Sequence, residues 1–206
     1  MEGSSQGYGI SLGRYIVVDL PFVSANHQYN EVGWWGDAAA TVGYAKQAVP
    51  NVIATYGGNP NQVLLTGFSR GDIAVSYIGL YDDQIASLWT AFYSHCIFDG
   101  MIEWIGTTWG SPLSVYRQSA ITRLNRLKGR PILISDFIHT GNASFPYQYL
   151  PSSDWTQLQV DMTSIFGAIP NSAVMSPHND KWALACGSCP EGQKVQSWLN
   201  KALKLR

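Results

Sequence analysis

Gly67-Phe68-Ser69-Arg70-Gly71 forms a Gly-x-Ser-x-Gly pattern, and two apolar runs flank it. Residues 63–66 are typical of a short buried strand, and residues 72–80 are apolar on nearly every side, like a buried helix. A serine in a strand-to-helix turn has a strained backbone and an exposed hydroxyl, while small flanking residues let strand and helix pass closely. The pattern predicts that Ser69 is a nucleophile; the alternative is a tight turn with an incidental serine.

Strands and helices alternate outward from this turn, which predicts an α/β fold with a mostly parallel sheet and helices on both faces. We expect a polar N-terminal segment over residues 1–14 and a single domain over residues 15–206. Strands are expected at 15–20, 63–66, 88–93, 131–135 and 172–176. Helices are expected at 37–56, 72–80 and 113–127, from 154 through 165, and at the C-terminus.

Individual residues refine two of these helices. In the helix over residues 37–56, Asp37 is the expected N-cap, Pro50 should kink or interrupt the helix, and Gly57 should end it. In the helix over residues 113–127, the apolar side is expected to pack against the core. The arginines of its other face, Arg117, Arg123 and Arg126, are expected to be solvated.

The composition of the chain indicates which classes of partner and which cellular location to expect. The 206-residue chain has a formal net charge of -1, so it shows neither the basic nor the acidic excess typical of nucleic-acid or membrane-surface binding. Charged residues make up only 13% and aromatic residues also 13%, a composition that leans toward an extracytoplasmic protein. No signal peptide is visible in residues 1–14, and no run of eighteen apolar residues suggests a membrane span.

The three cysteines are Cys96, Cys186 and Cys189. Cys186 and Cys189 form a Cys-x-x-Cys pattern, but a zinc site needs two more ligands and only His178 is near. A local disulfide or two plain thiols are therefore expected, with metal binding or thiol redox chemistry as the alternative. We expect no metal and no organic cofactor.

The approach to the serine turn, Asn59-Pro60-Asn61-Gln62-Val63, and the turn itself resemble the nucleophile elbow of α/β-hydrolases of the esterase, depolymerase and prolyl-oligopeptidase-like groups. The resemblance extends from about residue 15 to the end of the chain. It implies a catalytic triad in the chain order nucleophile, acid, histidine.

Four histidines compete for the role of base. His27 precedes the serine, so the family order excludes it, and His95 follows a strand at a position where a histidine is more often structural. His178 precedes the final helix, where the family places its base, and His139 is the alternative. The alternative is that His178 is a surface loop residue without a catalytic role.

The acid has two candidates. Asp136 directly follows the strand at 131–135, the usual place in the family, and Asp99 is the alternative acid. Asp136 could also simply cap a strand end. Asp154 is better explained as a helix cap, and Asp161 falls within the predicted helix.

The oxyanion hole shows a departure from the family. The backbone N–H of Arg70 should be one donor. The segment that carries the second donor is missing, or compressed into residues 1–14, because residues 15–20 match the fourth family strand. A substitute in the loop at 21–35, a trimmed fold, or a fragment completed by a partner would each account for this. Trp34 and Trp35 either line a pocket or pack against the following helix.

The function implied is a serine hydrolase that cleaves a small-molecule carboxylic ester through an acyl-enzyme. A non-catalytic binding or scaffold protein on the same fold is the main alternative, and a serine peptidase is another. A thiol redox protein ranks last. Homo-oligomers are compatible with the sequence.

Overall fold

A computed structural model describes residues 5–31, 36–95, 98, 113–137, 152–161, 165–169 and 190–205. Over these residues the chain is a mixed α/β protein. The helices are α1 (Ser5–Ser11), α2 (Ala38–Tyr56), α3 (Arg70–Tyr77), α4 (Asp83–Ala86), α5 (Leu113–Leu124), α6 (Ser152–Gln157) and α7 (Pro190–Ala202). The strands are β1 (Phe22–Val23), β2 (Asn30–Glu31), β3 (Leu64–Phe68), β4 (Ala91–His95), β5 (Ile132–Phe137) and β6 (Ile165–Ile169).

The main sheet has the order β3-β4-β5-β6, and every neighbouring pair is parallel. Its register aligns Phe68 with His95, His95 with Ser135, and Ser135 with Phe166. All four strands therefore end at the same edge of the sheet, and β3 and β6 are the two outer strands of the described sheet. A separate antiparallel pair joins β1 and β2.

Helices cover both faces of this sheet, because successive strand residues point to opposite sides. On one face, Phe92 and Ile134 pack with residues of α2, α3 and α5. On the other face, Tyr93 and Leu133 pack with Ile10 of α1 and with residues of α7. The expectation of a parallel sheet with helices on both faces is confirmed for the described part of the chain.

Helix α2 has the expected ends. The Asp37 side chain accepts a hydrogen bond from the Ala40 N–H at 2.9 Å, and Gly57 ends the helix at φ 72°. The expectation that Pro50 interrupts the helix is wrong, because α2 runs through it to Tyr56. Val42, Ala45 and Val49 are buried along its inner face, so tertiary packing holds the helix together through the proline.

Two strand predictions need correction. Residues 15–20 join no strand of the sheet, although they are rich in β-branched side chains, because pairing depends on a neighbouring strand as well as on local propensity. The strand expected at 88–93 lies at Ala91–His95 instead. The Leu88 N–H bonds to Ile85 in the turn that follows α4, which delays the strand.

Three further predictions concern the second half of the chain. The helix expected from Asp154 through Ile165 ends at Gln157, since Gln159 adopts φ 55°, and Ile165 begins β6. Arg123 is buried rather than solvated, because its guanidinium lies 5.1 Å from the centre of the Tyr77 ring. The strand expected at 172–176 lies outside the described residues.

Candidate active site

Ser69 occupies a sharp turn between β3 and α3. Its backbone has φ 56° and ψ -120°, a combination outside the regions that L-residues normally adopt. The side chain is mostly buried, with 8% of the residue exposed. Conformations of this kind cost of order 1–3 kcal/mol and persist only where surrounding contacts enforce them. The predicted strand–serine–helix turn is therefore present in the structure, with the backbone strain that such a turn carries.

The two glycines of the pattern have different environments. A Cβ built on Gly67 would overlap the Gly71 carbonyl and lie 2.7 Å from the Asp72 nitrogen. A Cβ built on Gly71 would meet nothing within 4 Å. Gly67 is therefore the position where the strand passes so close to the helix that no side chain fits.

Helix α3 begins directly after the serine. The Asp72 and Ile73 N–H groups donate to the Ser69 carbonyl at 2.9 and 3.3 Å, which fixes the first turn of the helix against the serine backbone. Arg70 is the first residue of α3, at the end where backbone N–H groups carry partial positive charge. Asp72 is fully buried in the same turn, where a carboxylate is favoured by that charge.

Asp136 lies at the same edge of the sheet as Ser69. Ser69 follows the aligned row Phe68–His95–Ser135, and Asp136 follows Ser135 in β5, two strands away from β3. Two strand spacings amount to about 10 Å. The β5–β6 register shifts between Asp136 and Phe137, and such irregularities are common beside active sites because they redirect the chain.

A polar cluster of three side chains lies immediately before that edge. The Ser135 hydroxyl is 2.7 Å from His95 Nδ1 and 2.9 Å from the Tyr93 hydroxyl, and all three residues are buried. A serine hydroxyl donates one hydrogen and accepts others, so it can serve both neighbours. The His95 ring also stacks on Phe68 at 5.6 Å, and the His95 carbonyl accepts a hydrogen bond from the Ser69 N–H at 3.2 Å. His95 thus packs behind the serine turn and holds its backbone.

Sequence reasoning did not find this cluster. Its members come from two strands 40 residues apart, so no local spacing joins His95 to Ser135. Two signals were available: Tyr93 and His95 are two residues apart and share a face of their strand, and Ser135 is a polar residue at the end of an apolar strand.

The other sequence-predicted site residues lie outside the described residues. These are His178, His139, Asp99, Trp34, Trp35 and the cysteines Cys96, Cys186 and Cys189. For Asp136 the structure describes the backbone position alone. The structure therefore places Ser69, which follows β3, and Asp136 of β5 at the same edge of the main sheet. The remaining assignments stay predictions.

The described ranges contain neither a candidate metal site nor a membrane-spanning helix. Within them, no group of three or more His, Cys, Asp or Glu side chains is arranged to hold a metal ion. Over the same ranges, none of the helices has both the length and the apolar character needed to cross a lipid bilayer.

The fold and the serine turn were also compared with known proteins. Comparison of the chain with protein-family models, with curated proteins and with solved structures finds no match.

Proposed function

We propose that the protein is a serine hydrolase with an α/β-hydrolase type of site, and that it cleaves small-molecule carboxylic esters. One observation carries the proposal: Ser69 lies between a parallel strand and a helix in a backbone conformation that costs free energy. Strain of this kind is concentrated at functional sites. If the serine were incidental, glycine at this position would relieve the backbone strain, because glycine adopts positive φ without cost.

In the proposed reaction the Ser69 hydroxyl oxygen attacks the ester carbonyl, and its proton passes to the histidine base. The Arg70 N–H donates to the oxyanion that forms on the carbonyl oxygen. The carbon–oxygen bond to the alcohol breaks, and the alcohol leaves with the proton from the base. Water then attacks the acyl-enzyme in the same way, releasing the carboxylic acid and restoring the serine.

His178 is the proposed base, with His139 as the alternative. Asp136 is the proposed acid that orients the base, with Asp99 as the alternative. The position of Asp136 supports this assignment, because about 10 Å between its strand and that of Ser69 leaves room for an imidazole ring between them. The buried environment of His95, whose Nδ1 is engaged by Ser135, favours a supporting role for that histidine.

Fluorophosphonate labelling followed by peptide mass spectrometry tests the nucleophile directly. We expect modification at Ser69, and hydrolysis of short p-nitrophenyl esters that falls by about 10⁴-fold in Ser69→Ala. Ser76→Ala is the matched control, because Ser76 is a buried serine of α3, seven residues after Ser69, and its hydroxyl donates to the Ile73 carbonyl. This variant should keep both labelling and turnover.

Three outcomes would contradict the proposal. A folded protein that is neither labelled nor active would indicate the non-catalytic binding or scaffold function. Cleavage of unactivated peptide bonds that is lost in Ser69→Ala would indicate a serine peptidase. Full activity in both His178→Ala and His139→Ala would mean that another group is the base.

A further inference from the structure

The outer edge of β3 presents backbone groups that could pair with another strand. The Val63 carbonyl accepts a hydrogen bond from the Thr90 N–H, and the Ser69 N–H donates to the His95 carbonyl, so both residues face β4. Along a strand these directions alternate residue by residue. Leu64 and Thr66 therefore direct their N–H and C=O groups toward the opposite edge, where the described sheet has no further strand.

A cavity of about 410 Å³ lies beside this edge. Residues 62–66 line one side of it and residues 14–20 line the other, while aliphatic side chains such as Val49, Val52 and Ile53 also line it. The exposure of residues 15–18 alternates as in a strand, with Ile16 and Val18 at 48% and 44% exposed. The cavity thus separates the outer edge of β3, which no other described strand covers, from a second strand-like segment.

The second segment contacts the rest of the fold at both ends. At its start, the Arg14 guanidinium donates to the Gln196 side chain of α7, and Tyr15 packs on the core beneath that helix. Burial raises the pKa of the Tyr15 hydroxyl. At its end, Leu20 packs on the opposite core and leads into β1. Closing the segment onto β3 would disrupt these contacts.

We propose that this cavity is a binding slot for an extended apolar peptide strand supplied by another polypeptide. The strand would pair with the N–H and C=O groups of Leu64 and Thr66 and place alternate side chains against the aliphatic lining. An apolar small molecule could fill the volume, but it has no groups that hydrogen-bond to those backbone N–H and C=O groups. The proposal is independent of the chemistry at Ser69.

The test uses an N-acetylated, C-amidated heptapeptide of alternating valine and threonine, with amide hydrogen exchange followed by NMR. We expect the peptide to slow exchange at Leu64 and Thr66. Exchange at Leu65 and Gly67 should change little, because their N–H groups already face β4. A second peptide of the same sequence, N-methylated at every residue, carries methyl groups along both strand edges, so it cannot pair with β3 and should not protect.

Matched variants locate the site. Val17→Lys places a charge in the slot wall outside any helix or strand, and it should weaken peptide binding at least tenfold. Tyr44→Lys is the control, because Tyr44 is an exposed residue of α2 that does not line the cavity. It should bind the peptide normally.

Three results would overturn the proposal. One is the absence of protection at Leu64 and Thr66 at peptide concentrations up to about 1 mM. Another is equal binding of the N-methylated peptide, which would indicate a site for apolar molecules. The third is protection without peptide that grows with protein concentration, which would make a second copy of the chain the occupant.

Discussion

At the scale of single residues, Gly67 and Gly71 flank the same serine but meet different surroundings. Gly67 leaves no space for a side chain, because the backbone of Gly71 and Asp72 occupies the position of its Cβ. Gly71 lies in the first turn of α3 with open space around it. The pattern in the sequence treats the two glycines as equivalent, and only the packing of strand against helix separates them.

We expect opposite effects from replacing each glycine by alanine. Gly67→Ala should lower the free energy of unfolding by about 1–3 kcal/mol, because the strand and the helix must move apart. Gly71→Ala should raise it by about 0.5–1 kcal/mol, because alanine favours the helix and loses less entropy on folding. Urea denaturation measures both changes.

The glycine pair provides its own control. Both substitutions add one methyl group within four residues of each other, so general effects of added bulk are matched. Equal destabilisation by the two variants would mean that the close approach at Gly67 does not limit the packing of this turn.

At the scale of elements, the start of α2 should be sensitive to pH. The hydrogen bond from His27 and that from the Ala40 N–H lower the pKa of Asp37 below its ordinary value of 3.8. A carboxyl whose pKa is lowered by folding stabilises the folded state above its unfolded pKa. That contribution should be lost as the pH falls below 3.8 and through the pKa of the folded state.

Asp37→Asn isolates the charge, because asparagine keeps a capping oxygen. Between pH 5 and pH 2, the urea midpoint of the wild type should fall more steeply than that of the variant. Circular dichroism at 222 nm follows the unfolding. Parallel curves for the two proteins would show that the charge of Asp37 does not contribute to stability.

Element boundaries show what local sequence could and could not predict. The Asp37 cap and the Gly57 end of α2 were predictable, because both depend on a few neighbouring atoms. Residues 15–20 had the composition of a strand, yet pairing requires an adjacent strand and they have none in the described sheet. Ile165 matched the spacing of a helix, but Gln159 adopts a left-handed backbone conformation, and the helix does not continue to Ile165.

At the scale of the whole molecule, the cluster of Tyr93, His95 and Ser135 links β4 to β5 beneath the serine turn. All three side chains are buried, and the Ser135 hydroxyl lies within hydrogen-bond distance of both neighbours. Removing the Ser135 hydroxyl should take one hydrogen bond from each neighbour inside the core, at a total cost of about 1–3 kcal/mol.

A double-mutant cycle tests this dependence. Ser135→Ala should cost more free energy of unfolding in the wild type than in a Tyr93→Phe background, because the second protein has no tyrosine hydroxyl left to satisfy. We expect a coupling energy of at least about 0.5 kcal/mol. Strict additivity would mean that the Tyr93–Ser135 bond contributes nothing to stability.

The sequence predicted part of the candidate site. Ser69 and its turn followed from one short segment, since the nucleophile, the two glycines and the flanking strand and helix are contiguous. The place of Asp136 at the same edge followed from the strand that precedes it. Arg123 and the cluster around Ser135 did not, because their partners come from distant parts of the chain and only the folded packing selects them.

The conformation of Ser69 has a consequence for protein engineering. Every folded molecule carries the cost of a serine at φ 56°, and glycine alone adopts that conformation freely. A library of all substitutions at residue 69, selected only for survival of heating, should become enriched in Ser69→Gly. Selection for activity should retain serine, so the two selections would drive this position in opposite directions.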